Sequence, residues 1–309
     1  MRKTIATITL TACALLAHAQ PQQLKAEIEA LIAHKKAEVG VCVILDSKDT
    51  VCVNNAQRYP LMSVMKLHQA MAVAHHLQAQ GLPASTPVHI SREDLKEDTY
   101  SPLRDRYPEG NFRMGTDSLL TYTLQLSDNN ACDILFANIC SVEETDRYLR
   151  SLGLRHFAIA ATEADMHADL DACHDNWSTP LEAARLIEML YTKEDLLEKT
   201  WLEFLRHTLN TCQTGKDRLA LPLERTGATI GHKTGTGDRN KAGRIIGLND
   251  VGFVSLPDGG HYAIAVLIKE SAENMQETAA IIARISGLVY RHMTGEAPHS
   301  DSNSHSSAL

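Results

Sequence analysis

Ser63 and Lys66 are the first residues in this chain whose types and spacing suggest chemistry. They lie in Met62-Ser63-Val64-Met65-Lys66, the one Ser-x-x-Lys of the sequence. Positions three apart on a helix share a face, so the hydroxyl and the amine can meet. A serine hydroxyl is a weak nucleophile until a neighbouring base takes its proton. The apolar run that follows predicts a helix from Ser63 to about Gln80. A helix start also offers free N–H groups where an oxyanion can form. Chance places about one Ser-x-x-Lys in a chain of this size, so the pair carries weight only with partners. Two tripeptides supply them: Ser127-Asp128-Asn129 after the apolar segment Leu119 to Leu126, and Lys233-Thr234-Gly235 at the end of a predicted strand. Each occurs by chance in roughly one chain in twenty, and the three in this order in well under ~1%.

The elements that must position these residues fall into three groups. Residues 21–36 read as an amphipathic helix with Leu24, Ile28, Leu31 and Ile32 on one side. Val39 to Asp46 and Thr50 to Asn54 are β-branched runs around a turn and predict a hairpin. Residues 90–205 are mainly helical, with the clearest segments at 118–126, 131–139, 142–152 and 179–190. Periodicity is lost from Leu154 to Ser178, which reads as a long loop, and loops of that length are usually functional. Strand character returns in 228–234, 245–256 and 261–269, and Ser271 opens a last helix to about Met293. The expected class is therefore α/β (α+β): a sheet domain from residues 20–60 and 206–294, with a helical domain, 61–205, inserted between its halves. The tail 295–309, rich in Ser and His, is expected to be disordered.

With 309 residues, the chain is long enough for a large core. A net charge of −8 argues against nucleic acid or an anionic membrane surface as the main partner. Arg2 and Lys3, the apolar Thr4 to Leu16 and the small-x-small Ala17-His18-Ala19 read as a signal peptide, residues 1–19, with the mature chain starting at Gln20. Lipid attachment at Cys13 is the weaker reading, because the apolar run continues past it. Export places the protein in the periplasm, where disulfides form, and Cys42 and Cys52 flank one turn. No Cys-x-x-Cys, His-x-x-x-His or His-Glu-x-x-His spacing appears, so neither a metal nor another cofactor is expected.

In this order and context the three motifs resemble those of class A serine β-lactamases and the related penicillin-binding proteins. The resemblance spans nearly the whole mature chain and implies the serine β-lactamase/DD-peptidase-like fold, an antiparallel five-stranded sheet with terminal helices and an all-helical insertion. Tyr100-Ser101-Pro102 is similar to a class A segment whose tyrosine borders the substrate. In the long loop the family carries a glutamate that activates water, and Glu163 matches it. Glu163-Ala164-Asp165-Met166-His167-Ala168-Asp169 lacks the common proline and asparagine and is similar to the extended-spectrum, Bacteroides-type subgroup that includes the PER-like enzymes.

The resemblance implies roles as well. Ser63 attacks the lactam carbonyl, with Lys66 or Glu163 as its base. The N–H groups of Ser63 and Thr236 form the oxyanion hole, and Ser127 passes a proton to the lactam nitrogen. Asn129 orients the substrate side chain, while Lys233, Thr234 and Gly235 hold its carboxylate. Glu163 with His167 holds the hydrolytic water. Arg218 is the arginine expected to support carboxylate binding, and Thr236 is associated with cephalosporin use. Small-molecule β-lactams are the expected partners of a monomer. Two other functions share part of the constellation. A D-alanyl-D-alanine peptidase uses the same three motifs, and a β-lactam sensor domain stays acylated. The Glu163 loop disfavours the first and the lack of a second apolar span the second.

Overall fold

The computed structural model describes residues 21–295. The expected signal peptide, Cys13, the Gln20 start and all but the first residue of the expected tail lie outside them. The chain opens with helix α1 (residues 21–32), shorter than the pattern suggests. Strands β1 (Glu38–Leu45) and β2 (Asp49–Val53) follow, then a two-residue strand β3 (Tyr59–Pro60). A 3-10 turn, Met62–Val64, leads into α2 (Met65–Ala79). The middle contains β4 (Pro87–Ile90), α3 (Pro102–Arg106), β5 (Phe112–Gly115), α4 (Thr116–Gln125), α5 (Asn129–Asn138) and α6 (Val142–Ser151). The segment expected to be a plain loop holds β6 (Phe157–Ala158), a short helix α7 (Glu163–Ala168), a 3-10 turn and β7 (Trp177–Ser178). Then come α8 (Pro180–Thr192), α9 (Lys199–Asn210), β8 (Thr229–Thr236), β9 (Ile245–Ser255), β10 (His261–Ser271) and α10 (Met275–Thr294). The boundary expected at residues 205–206 falls inside α9. The last helix is capped by the Asn274 side chain on Glu277 N, not by Ser271.

Five strands make one antiparallel sheet in the order β2-β1-β10-β9-β8, so its centre is built from both chain ends. Side-chain alternation divides the faces. Val41, Val43, Ile264, Val266 and Ile268 pack with Leu24 and Ile28 of α1 and Ile281, Ile282 and Ile285 of α10. Cys42, Ile44, Ala263, Ala265 and Leu267 join the core of the helical middle. Each fully buried aliphatic side chain contributes about 1.5–3 kcal/mol, which makes both sheet faces strongly committed. Cys42 sits opposite Cys52 across the first hairpin and is disulfide-bonded to it. Among the described residues no helix is long and apolar enough to cross a membrane.

Helix α2 is buried on nearly every side, from Met65 and Lys66 to Ala74 and Leu77. Burial also lowers His68 to about 4, so this imidazole stays neutral inside the core. A helix enclosed this way is a rigid base for whatever its first turn presents.

Candidate active site

Ser63 stands in the 3-10 turn just before α2, one turn ahead of Lys66. Three separate segments fix that turn. Asn249 of β9 donates through Nδ2 to the carbonyls of Pro60 and Leu61, at 2.8 and 3.0 Å. Leu61 N donates to Asn176 O at 2.8 Å, tying the turn to the α7 segment. Strand β8 presses on it from the third side. A Cβ at Gly235 would lie 2.5 Å from Leu61 O and 3.2 Å from Val64 N, so only glycine lets the strand approach. This contact brings the Ser63 turn and the Thr236 end of β8 together, the two segments whose N–H groups were expected to form an oxyanion hole.

Lys66 is fully buried and is the hub of the cluster. Its Nζ donates to Ser63 Oγ at 3.1 Å, Ser127 O at 2.7 Å and Asn129 Oδ1 at 2.6 Å. It is ion-paired with Glu163 Oε1 at 2.9 Å. The Ser63 hydroxyl donates to the same Oε1 at 3.4 Å. Ser127 has a left-handed backbone, φ 60°, at the end of α4, which turns its carbonyl toward Lys66. A non-glycine residue in that region is locally strained, and such strain is common where a site needs one orientation. Ser127 Oγ accepts from Lys233 Nζ at 2.9 Å. Burial and then the nearby Lys66 charge push Lys233 down to about 7. A substrate carboxylate placed beside it would restore the charged form.

Asp128 is the structural member of its tripeptide. Its carboxylate caps α5 through Ala131 N and holds Ser101 Oγ and Leu103 N, which fixes the 99–103 segment. Tyr100 in that segment is exposed at the mouth of the cleft. Asn129 Nδ2 donates to Thr99 Oγ1 at 2.8 Å, so this side chain bridges the segment and Lys66.

Arg218 is buried, and its guanidinium donates to Gly235 O, to Asn249 O and, at 2.6 Å, to Thr236 Oγ1. Burial lowers its pKa, with Asp250 and Asp217 acting the other way. Arg218 therefore lies behind the end of β8 at Gly235 and Thr236 and lines the cleft with Thr234, where it adds positive charge. His167 departs from expectation. Its ring is half-exposed and its Nε2 lies 3.1 Å from Asp98 Oδ2. That contact draws it toward the 96–101 segment, and it does not line the cleft with Glu163.

The cleft holds about 360 Å³ and is lined by Ser63, Tyr100, Ser127, Asn129, Glu163, Arg218, Thr234 and Thr236, among others. A larger hollow of about 1090 Å³ lies against α5 and α6 on the far side of the α7 segment. It contains neither the nucleophile nor its lysine, so convergence of polar groups and not size identifies the site.

Two contributors escaped the sequence reading. Thr214 Oγ1 lies 2.6 Å from Thr234 Oγ1 and extends the anion-binding wall. Asp133 accepts from Glu163 N at 2.8 Å through Oδ1 and from Ala164 N at 2.9 Å through Oδ2. The signal for Asp133 was its position four residues after Asn129 on one helix face. Burial and the nearby Glu163 charge raise the Asp133 carboxyl to about 6, against the two N–H bonds that favour its charged form. Protonation below that pH converts an acceptor oxygen into a hydroxyl facing an N–H. A raised carboxyl favours the folded state in acid and loses that contribution as pH rises through about 6. Catalysis should run the other way, with kcat falling as pH drops through the same value. Asp133→Asn can accept only one of the two bonds. Its kcat is expected to be roughly tenfold to a hundredfold lower, without the acid step near 6. Stopped-flow and steady-state profiles between pH 5 and 8 (about the range where that carboxyl changes charge) check this; a wild-type profile in Asp133→Asn would refute it.

A sequence profile of the beta-lactamase enzyme family matches residues 23–293. The chain is 38% identical over 265 residues to a beta-lactamase of Phocaeicola vulgatus, covering 85% of this chain and 82% of that one. It is 34% identical over 274 residues to the extended-spectrum beta-lactamase PER-1 of Pseudomonas aeruginosa, with 88% of each covered. The crystal structure of a class A beta-lactamase from Bacteroides cellulosilyticus superposes with a TM-score of 0.85 at 38% identity, over 90% of this chain and 99% of that one. Related to these enzymes along nearly its whole length, in sequence and in structure, the chain belongs to the beta-lactamase enzyme family.

Proposed function

We propose that the chain hydrolyses the β-lactam ring of penicillins and, especially, cephalosporins through an acyl-enzyme on Ser63, and so confers resistance to them. The observation that carries the reading is Glu163, 2.9 Å from Lys66 and 3.4 Å from Ser63. A peptidase or a sensor needs the serine and lysine, but rapid release of a β-lactam-derived acyl group needs a carboxylate placed to activate water.

Lys66 Nζ and Glu163 Oε1 are close enough to exchange a proton, so they act as one coupled base toward Ser63. Ser63 Oγ attacks the lactam carbonyl, and the oxyanion is held by the N–H groups of Ser63 and Thr236. The proton taken from Ser63 passes on through Ser127, whose hydroxyl Lys233 holds at 2.9 Å, to the lactam nitrogen as the C–N bond breaks. Glu163, ionised again, takes a proton from water as it attacks the ester, and that proton returns to Ser63 Oγ as the acyl C–O bond breaks. Lys233, Thr234, Thr236 and Arg218 hold the substrate carboxylate, and Asn129 and Tyr100 border its side chain. No step calls for a metal or an organic cofactor.

The Thr236 hydroxyl, fixed by Arg218, supports the preference for cephalosporins. The leader at residues 1–19 and the Cys42–Cys52 disulfide support export to an oxidising periplasm. All of the site residues come from one chain, which supports action as a monomer. Steady-state kinetics with a penicillin, an early cephalosporin and an oxyimino-cephalosporin test the reading. Sustained turnover of cephalosporins at least equal to that of the penicillin is expected. A single stoichiometric burst with every compound would overturn hydrolysis, and rapid penicillin turnover beside none of any cephalosporin would overturn the preference.

A further inference from the structure

We propose that His76, Cys140 and Glu144 form a binding site for a zinc-like divalent ion at the crossing of α2 and α6. One ligand atom from each residue lies within 4.8 Å of the others, the one such His/Cys/Asp/Glu group among the described residues. The spacing rules applied to the sequence could not see it. His76 comes from the last turn of α2, Cys140 from the link between α5 and α6, and Glu144 from the first turn of α6.

The donor set is selective. A thiolate, an imidazole and a carboxylate suit Zn2+ or Co2+, whereas Mg2+ and Ca2+ favour oxygen alone. With Cys140 and Glu144 ionised, their two negative charges balance a divalent ion. Cys140 is a free thiol, 3% exposed, and burial pushes it up to about 11. It is therefore protonated without metal, and one proton leaves Sγ as the metal–sulfur bond forms. Glu144 keeps one oxygen available, because only Oε2 accepts the capping bond from Ser141 N. Gln80 Nε2 lies 2.7 Å from His76 Nε2, so ligation through Nδ1 requires that amide to turn and offer its oxygen to the Nε2–H. A cleft of about 260 Å³, which His89 also lines, opens beside His76.

Tetrahedral zinc ligands stand about 3.5 Å apart, so the group must close by roughly an ångström. His76 and Glu144 are half-buried side chains that can move that far, while Cys140 is fixed. The ion would clamp the end of α2 to the start of α6. Lys66 is ten residues from His76 along α2, about 15 Å at helical rise. Binding should therefore affect stability and leave lactam turnover unchanged.

Titration of the purified full-length protein with Co2+ provides the test. A thiolate-to-cobalt charge-transfer band with tetrahedral ligand-field bands is expected. Cys140→Ser should lose the charge-transfer band, and His76→Gln and Glu144→Gln should each bind about tenfold or more weakly. Zn2+ should displace Co2+ and raise Tm in the wild type but not in Cys140→Ser. The variant on half-exposed His76 keeps the test decisive if the buried cysteine variant fails to fold. Absence of the band in the wild type, its survival in Cys140→Ser, or unchanged affinity in His76→Gln would overturn the site.

Discussion

Glu163→Gln is expected to turn a multiple-turnover hydrolase into a protein that reacts once and stays blocked. The amide cannot take a proton from water, and general-base catalysis contributes about 10²–10⁴-fold. Acylation still has Lys66 beside Ser63 Oγ at 3.1 Å, so the first step persists. A burst equal to the enzyme concentration should appear with a chromogenic cephalosporin, and intact-protein mass spectrometry should show the adduct on Ser63. Stranding one partner of a buried ion pair costs about 3–5 kcal/mol when nothing replaces it. Here Lys66 retains Ser63 Oγ, Ser127 O and Asn129 Oδ1 as acceptors, so the variant should fold. Unimpaired steady-state turnover in Glu163→Gln would show that deacylation uses another group.

Ser63→Ala should lower kcat by at least about ten-thousandfold and abolish the adduct altogether. The two variants separate the halves of the reaction: one accumulates the ester, the other never forms it. Removal of the hydroxyl leaves the Lys66–Glu163 pair and the anion wall intact, so β-lactams should still bind reversibly. A covalent adduct on Ser63→Ala would place the nucleophile elsewhere.

Ser63, Lys66, Ser127 and Lys233 could be singled out because each lies in a three- or four-residue motif, and the fold brings those motifs together. The sheet was legible too, because β1, β9 and β10 are long, largely apolar runs rich in valine and isoleucine. What the sequence hid depends on contact between distant segments. Asp133 shares a helix face with Asn129, but its contact with the backbone of Glu163, 30 residues away, appears only in the fold. His167 was read beside water because its segment, Glu163 to Asp169, resembles that of the extended-spectrum subgroup. A partner in another segment, Asp98, takes the ring away. The 154–178 stretch lacked periodicity because its helix and turn are each too short to repeat. Asn176 organises it instead, accepting from Ala160 N and Ala161 N and donating to Ala161 O.

The contact between β8 and the serine turn also bears on how such an enzyme can change under drug pressure. A side chain at Gly235 would meet the Leu61 carbonyl and the Val64 amide, which are backbone and cannot swing aside. Two residues on, a Cβ at Gly237 would meet the Met62 Cε at 2.9 Å, the flexible end of a methionine, but also the backbone nitrogen of Gly247 at 3.2 Å. Thr236 between them is exposed. Adjacent positions of one strand are thus unequally open to change: Thr236 faces solvent, Gly237 admits a side chain only if Met62 moves and β9 gives slightly, and Gly235 is closed.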